Sequence, residues 1–266
     1  MTIMKYEILE QTQQLPDRRT AYRIKAVRDF GNVKKGEIGG FVEADDNLSH
    51  HGLCWIAGTA MALGRSRVTG DAQLKNRAQL RDWAVITDRC AVQDEAVLQD
   101  FAFGYGDAVI GEQSLLAGVA TACGHAQIFC RPRYSVSGKT RIPTLRGNVM
   151  IRDYARLEGK VTARDDVVVC DGATIKGNVR LIEKAYIGDE SVIEGCATIG
   201  EKAVIVQQSR IGGLTKIFGR VLVAGQVAIL GKSFLTCCVR VDGGGTAYDI
   251  RLSGDTHRQV TGLNYE

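Results

Sequence analysis

The residues best suited to chemistry lie in one stretch. Between positions 113 and 152 the chain has no aspartate or glutamate, yet it carries Arg131, Arg133, Lys139, Arg141, Arg146 and Arg152. Six cations against no acid exceed the formal net charge of +4 for the whole chain of 266 residues. Guanidinium groups make paired hydrogen bonds to phosphates and carboxylates. Arg131, Arg133, Tyr134, Lys139 and Arg141 are therefore the expected contacts for a small anion such as a phosphate, a nucleotide or coenzyme A. The competing reading is a solvated loop whose charges aid solubility or pair with acids on another subunit. Nucleic acid is not an expected partner, because aromatic side chains are not interleaved through the basic run as stacking requires. Neither a Walker loop nor a dinucleotide fingerprint is present.

The elements that must position this stretch are written in a period of six. Over 145–241 every sixth residue is aliphatic, as in Leu145, Ile151, Leu157, then Ile187, Ile193, Ile199, Ile205, Ile211 and on to Val241. Four residues after each lies a small side chain (Val149, Ala155, Val161), and two after lies Gly, Asp or Asn in most hexads (Gly147, Asp153, Gly159). Side chains alternate along a strand, so the aliphatic and small columns face one narrow interior. Gly, Asn and Asp reach positive φ most cheaply and suit a corner. The same pattern runs earlier, from Ile56 to Ile128, with Ala62, Gly104 and Ala122 as weak members of the aliphatic column. A six-residue period with three strands per turn predicts an all-β parallel β-helix of roughly ten coils, roughly 50 Å long at the strand spacing of ~4.8 Å. The pattern breaks once, over 129–144. The step from Ile128 to Leu145 falls one position short of three hexads. The break is therefore expected to replace about one coil and to be too short for a long projecting loop.

An aliphatic-Gly/Asp-x-x-small-x repeat resembles the hexapeptide-repeat family of left-handed β-helices, over about residues 38–246. The entry segment, from Arg28-Asp29-Phe30-Gly31 through Gly39-Gly40-Phe41-Val42 to Cys54-Trp55-Ile56, is similar to the YdcK-like branch, whose members are described as acyltransferases. Left-handedness is implied by this resemblance, since parallel crossovers in general are right-handed. The resemblance also implies a trimer and, if the chain is an enzyme, an acyl-CoA-dependent transfer to a hydroxyl or amine with a histidine as general base. His125, in Cys123-Gly124-His125-Ala126 beside the basic run, is the residue that would take that role; the plainer reading is an exposed turn histidine. The chain departs from such enzymes in lacking a C-terminal helical pattern. No cofactor is required by the sequence. No metal site is expected, because His51 and His125 are about four coils apart and a catalytic zinc needs convergent ligands. The first reading is therefore an oligomeric protein binding a small anion or a protein partner without catalysis, with acyl transfer as the alternative.

Residues 1–37 fall outside the repeat. Segments 5–9 and 20–27 read as two strands of a hairpin, expected to cap the exposed backbone at one end. The polar tail 247–266 has lost the hexad and is expected to cap the other end or fold back. There is no run of 18 apolar residues and no apolar signal core, so no membrane association is expected. Eight cysteines without C-x-x-C spacing fit reduced thiols and a cytoplasmic setting.

The residue before each aliphatic one points outward, and every eighteenth such residue stacks on one side. Met150, Val168, Tyr186, Val204 and Leu222 form an apolar row, whereas its siblings include Arg156, Thr174, Arg210, Arg180 and Lys216. If the break replaces one coil, the row continues through Leu115, Val97 and Met61, with Gln79 as an exception. An apolar row of this kind marks an interface, expected here between copies of the chain. Trp83, Val85, Phe101, Phe103 and Tyr105 form a second apolar set, a ligand floor or a second contact.

Overall fold

The hexad columns turn inward. In a computed structural model, which describes residues 4–130 and 144–265, the chain forms two units, Met1–His125 and Ala126–Glu266. Each is a parallel β-solenoid, with about 12 turns between them. In the first unit Gln73–Leu74, Gln79–Leu80 and Val85–Ile86 make successive sides of one coil, and Ala91–Val92 returns to pair with Gln73–Leu74. Three hexads thus complete one turn. Leu74, Leu80, Ile86 and Val92 are wholly buried, as are Ala72, Ala78, Ala84 and Cys90 beside them. In the second unit Ile187, Ile193 and Ile199 are likewise wholly buried. Burial of such a branched side chain contributes about 1.5–3 kcal/mol, so the repeated column is the main source of cohesion. The weak member Gly104 has a reason. A β-carbon there would stand 2.8 Å from Cys90 Sγ and 3.3 Å from Ile86 Cγ2, so the interior at that level is already filled.

The corners are held by geometry more than by composition. Asn76, Asp82, Asp88, Asp94 and Asp100 sit at φ of 55–61°, and Glu183, Glu201 and Gln207 do so at 56–58°. The aspartates add a second function. Asp88 Oδ2 accepts the Gly106 amide at 3.0 Å, Asp94 Oδ2 the Glu112 amide at 2.9 Å, and Asp100 Oδ2 the Gly118 amide at 2.8 Å. Each carboxylate thus accepts a backbone N–H at the corresponding corner of the following coil.

At the amino end, β1 (Tyr6–Gln14) and β2 (Thr20–Ala26) pair antiparallel, and β1 runs on to Gln14, well past the expected end at Leu9. Next, β3 (Ile38–Val42) pairs antiparallel with β2 and parallel with Met61–Ala62. The Tyr6 hydroxyl reaches Asp45 Oδ1 and the Leu48 carbonyl, both at 2.9 Å, tying β1 to the first coil.

Two sequence expectations change in the second unit. Gln127–Cys130 pairs with Arg156–Gly159, so Gln127 meets Arg156 where a regular coil would bring it to Leu145. The break therefore lengthens a coil; it does not replace one. The inserted stretch falls at 131–143, outside the described residues. The tail does not fold back. Phe234 pairs with Arg251, Arg240 with His257 and Thr246 with Leu263, all parallel and each one position short of the regular register. One residue is dropped at the corner holding Asp249, which hid a further coil from a strict count in hexads.

Candidate functional site

In the second unit Met150, Val168, Tyr186, Val204 and Leu222 are Cα partners from coil to coil, so the row seen in the sequence is continuous on one sheet. Met150 is exposed, and the other four are half-buried by their neighbours above and below. The residue following each buried aliphatic one faces the same side. There stand Arg152, Cys170, Gly188, Val206 and Ala224, a column that is small and uncharged after its first member and that the sequence reading passed over. It widens the row into a face. Gly188 is needed for that flatness: a β-carbon would lie 2.8 Å from Tyr186 Cε1, where the ring now rests. One edge of the face carries Asp153, Asp171, Asp189 and Glu190. The other alternates acids with Lys184, Lys202 and Arg220.

Cys170 is buried on this face, with its Sγ 3.0 Å from both Asp171 Oδ2 and the Tyr186 hydroxyl. Burial pushes its thiol up to about 11, so at neutral pH it is a protonated donor and not a nucleophile. The bond to Cys170, followed by burial, pushes Tyr186 up to about 12. The separate bond from Cys170 Sγ to Asp171 Oδ2 holds the Asp171 carboxyl below the usual range.

The first unit divides the remaining candidates. Met61, Val97 and Leu115 share one sheet with Gln79. Met61 does not face outward freely. It is buried in a cluster with Ala21, Phe41 and Leu63, against which Leu15 packs, so the N-terminal strands cover that end of the row. Because the break lengthens a coil and does not replace one, there is no ground for joining this row to the one from Met150 to Leu222. Trp83 and Phe101 are exposed, but they form a stacked ladder, with centroids 6.2 Å apart and the Arg65 guanidinium 4.6 Å from the Trp83 ring centre. Their ring faces are turned to one another and to Arg65, which does not make a flat ligand floor.

His125 stands at the end of a corner column that reads Arg89, Asp107, His125, one residue from each successive coil. Its Nδ1 is 3.5 Å from Asp107 Oδ2, and the ring is about half exposed. Arg89 donates to both oxygens of Asp107, with Nη2 to Oδ2 at 2.6 Å. That fork holds the Asp107 carboxyl below the usual carboxylate range, and His125 adds to the effect. Asp107 was missed in the sequence, although the coil period places it between the other two. Arg131, Arg133, Tyr134, Lys139 and Arg141 lie outside the described residues.

Among the described residues no helix is long and apolar enough to cross a membrane. No protein-family model matches the chain, and no curated protein matches it in sequence.

Proposed function

We propose that this chain is a self-associating β-solenoid that works by binding, and that the apolar sheet face of the second unit seats a further copy of the chain. The observation that carries the reading is the one-sided chemistry of that unit. Its Met150-to-Leu222 side is apolar in the outer column and, beyond Arg152, in the adjacent one, while the neighbouring sides mix Arg156, Arg210, Arg180 and Lys216 with apolar residues such as Val192 and Phe234. Five rungs at ~4.8 Å give an apolar strip about 24 Å long. With a width of two side chains, this is well short of the ~800 Å² per partner of a standard interface. The strip is therefore the centre of the contact, and its charged edges form the rim. A homotrimer is the assembly implied by the resemblance to hexapeptide-repeat proteins, as are the YdcK-like affiliation and the left-handed winding. In this reading Arg131, Arg133, Tyr134, Lys139 and Arg141 hold a small anion, and the reduced thiols belong to a cytoplasmic protein.

Val204→Glu tests the interface. It places a carboxylate between Tyr186 and Leu222 at the centre of the contact, where an unpaired buried charge costs about 3–5 kcal/mol. Light scattering should give a multimer for the wild type and a monomer for the variant, with unchanged circular dichroism. Equal masses for the two proteins reject the reading.

A second reading, acyl-CoA-dependent transfer with His125 as general base, is favoured by Asp107 facing His125 Nδ1 and by the insertion that follows Gln127–Cys130. Thermal shift with acetyl-CoA and with nucleotides separates the two. Stabilisation by acetyl-CoA that is lost in Arg131→Ala/Arg133→Ala, together with turnover lost in His125→Ala, supports transfer. Stabilisation by nucleotide without turnover supports binding alone.

A further inference from the structure

Away from both surfaces, the first unit buries an amine against a thiol. Lys5 and Cys54 are each wholly buried. Lys5 Nζ donates to the Cys54 carbonyl at 2.8 Å and lies 3.1 Å from Cys54 Sγ, with the His51 carbonyl at 3.5 Å. The Phe30 ring is 5.1 Å from the same nitrogen. A buried ammonium is costly to hold. A methionine would fill the same volume without that cost, so packing does not account for the lysine. Burial lowers the Lys5 amine and raises the Cys54 thiol, while each partner draws the other back towards its charged form. Nζ and Sγ are in direct contact, so a proton can pass between them within the pocket, and the ammonium beside sulfur is what would support a thiolate there.

We infer that Lys5 and Cys54 are the two halves of an oxidative cross-link, a sulfenamide formed when peroxide reaches the pocket. In the first step the Cys54 thiolate attacks one oxygen of hydrogen peroxide. An S–O bond forms and the O–O bond breaks. The departing hydroxide takes a proton from the Lys5 ammonium and leaves as water, giving a sulfenic acid beside a neutral amine. In the second step the Lys5 lone pair attacks sulfur. The S–N bond forms, the S–O bond breaks, and the hydroxyl leaves as water with a proton from nitrogen. The sum is amine, thiol and one peroxide giving the bridge and two waters: sulfur is oxidised by two electrons and the peroxide is reduced. Sulfenic acids condense with a neighbouring backbone nitrogen to a sulfenamide, and here a more nucleophilic amine nitrogen is already 3.1 Å away. Access needs a local opening of the segment that leads into Tyr6, where the neighbouring Met4 is 56% exposed. The bridge would latch the strand that begins at Tyr6 to the first coil, closing the cap covalently under oxidising conditions and releasing it to a thiol reductant.

The test uses the full-length protein treated with hydrogen peroxide, digested without reductant and read by mass spectrometry. The expected product is one linked peptide pair joining Lys5 to Cys54, about two hydrogen masses lighter than the sum of its parts and separated again by dithiothreitol. Lys5→Met keeps the volume and removes the attacking nitrogen. In that variant the linked pair should fall at least ~tenfold, and Cys54 should proceed to sulfinic acid. Cys54 carried to sulfinic acid in the wild type without a linked pair overturns the inference. So does Cys54 left unmodified at a peroxide dose that oxidises the exposed Cys196, Cys237 and Cys238. Both of these outcomes are read on the wild type, so the test does not depend on how the variant folds.

Discussion

Substituting Asp94 separates the two demands made on a corner residue. Asp94 has φ of 61°. Its Oδ2 accepts the Glu112 amide at 2.9 Å and its Oδ1 accepts the Asn76 side-chain amide at 3.1 Å. Alanine would lose both bonds and keep a β-carbon in the left-handed region. Exposed hydrogen bonds contribute about 0.5–1.5 kcal/mol each, and a β-branch-free residue in that region costs about 1–2 kcal/mol. The two bonds sum to about 1–3 kcal/mol, and only the extra strain of alanine over aspartate adds to them, so the expected loss for Asp94→Ala is at least about 1–3 kcal/mol. Glycine loses the same bonds but removes the strain, offset in part by the greater entropy of its unfolded chain, for a loss of about 1–2 kcal/mol. Asparagine tolerates the conformation and retains an acceptor oxygen, so its loss should stay below about 1 kcal/mol.

The assay is urea unfolding followed by tryptophan fluorescence. Both tryptophans, Trp55 and Trp83, belong to the first unit, so the signal reports that unit alone. The order of loss should be Ala, then Gly, then Asn. Alanine at wild-type stability would show that the carboxylate bonds contribute nothing, because alanine loses them without relieving the strain. Alanine no worse than glycine would show that the corner does not require the left-handed conformation. Either result refutes the account of why aspartate recurs at these positions.

Three further outcomes follow from the same geometry. The Asp107 carboxyl has a folded-state value below its ordinary one because of Arg89; its contribution is present above the unfolded value of about 3.9 and is lost as pH falls through the lower folded value. The urea midpoint of the first unit should therefore fall more steeply on acidification below pH ~4 in the wild type than in Asp107→Asn, and parallel curves would count against the Arg89 fork. Ile199→Ala, whose side chain is wholly buried between Leu181 and Ile217, should cost the second unit about 2–5 kcal/mol by circular dichroism in denaturant, and a cost under about 1 kcal/mol would contradict its interior position. Gly40→Ala sets a β-carbon 2.4 Å from the Ala60 carbonyl oxygen and 2.6 Å from Ile56 Cγ2; β3 should lose its seat on the first coil and the N-terminal strands should become sensitive to limited proteolysis, whereas wild-type resistance would mean that the close approach is dispensable.

The fold was legible because its cause is local and repeated. An aliphatic residue at every sixth position can be buried only if the chain turns every sixth position, so Ile187, Ile193 and Ile199 carry the architecture without help from distant contacts. Where the reading failed, the periodicity itself was perturbed. One dropped residue at the Asp249 corner moves the later strands out of phase, so that Phe234 meets Arg251 and not its successor, and a strict count then sees a structureless tail. Over 129–144 the step from Ile128 to Leu145 is so close to three hexads that it imitates a lost coil. Strand pairing resolves it, because only the partner of Gln127 shows whether residues were removed or added.

The candidate surfaces were legible to the degree that they repeat along the axis. Met150, Val168, Tyr186, Val204 and Leu222 recur once per coil and were seen together. Cys170, Gly188, Val206 and Ala224 recur in the same way, but small side chains do not announce a surface until a neighbour needs the room, as Tyr186 needs it over Gly188. Met61 has the right residue type and phase and still fails as a surface residue, because Phe41 and Leu63 pack with it under strands from outside the repeat. No period in the sequence reports such a contact. The Lys5–Cys54 pair is the limiting case. Its members are far apart in the chain and outside any shared column, so only the docking of β1 against the first coil brings the amine to the thiol. Chemistry placed within a coil can be read by counting, whereas chemistry made by the cap depends on packing that counting does not reach.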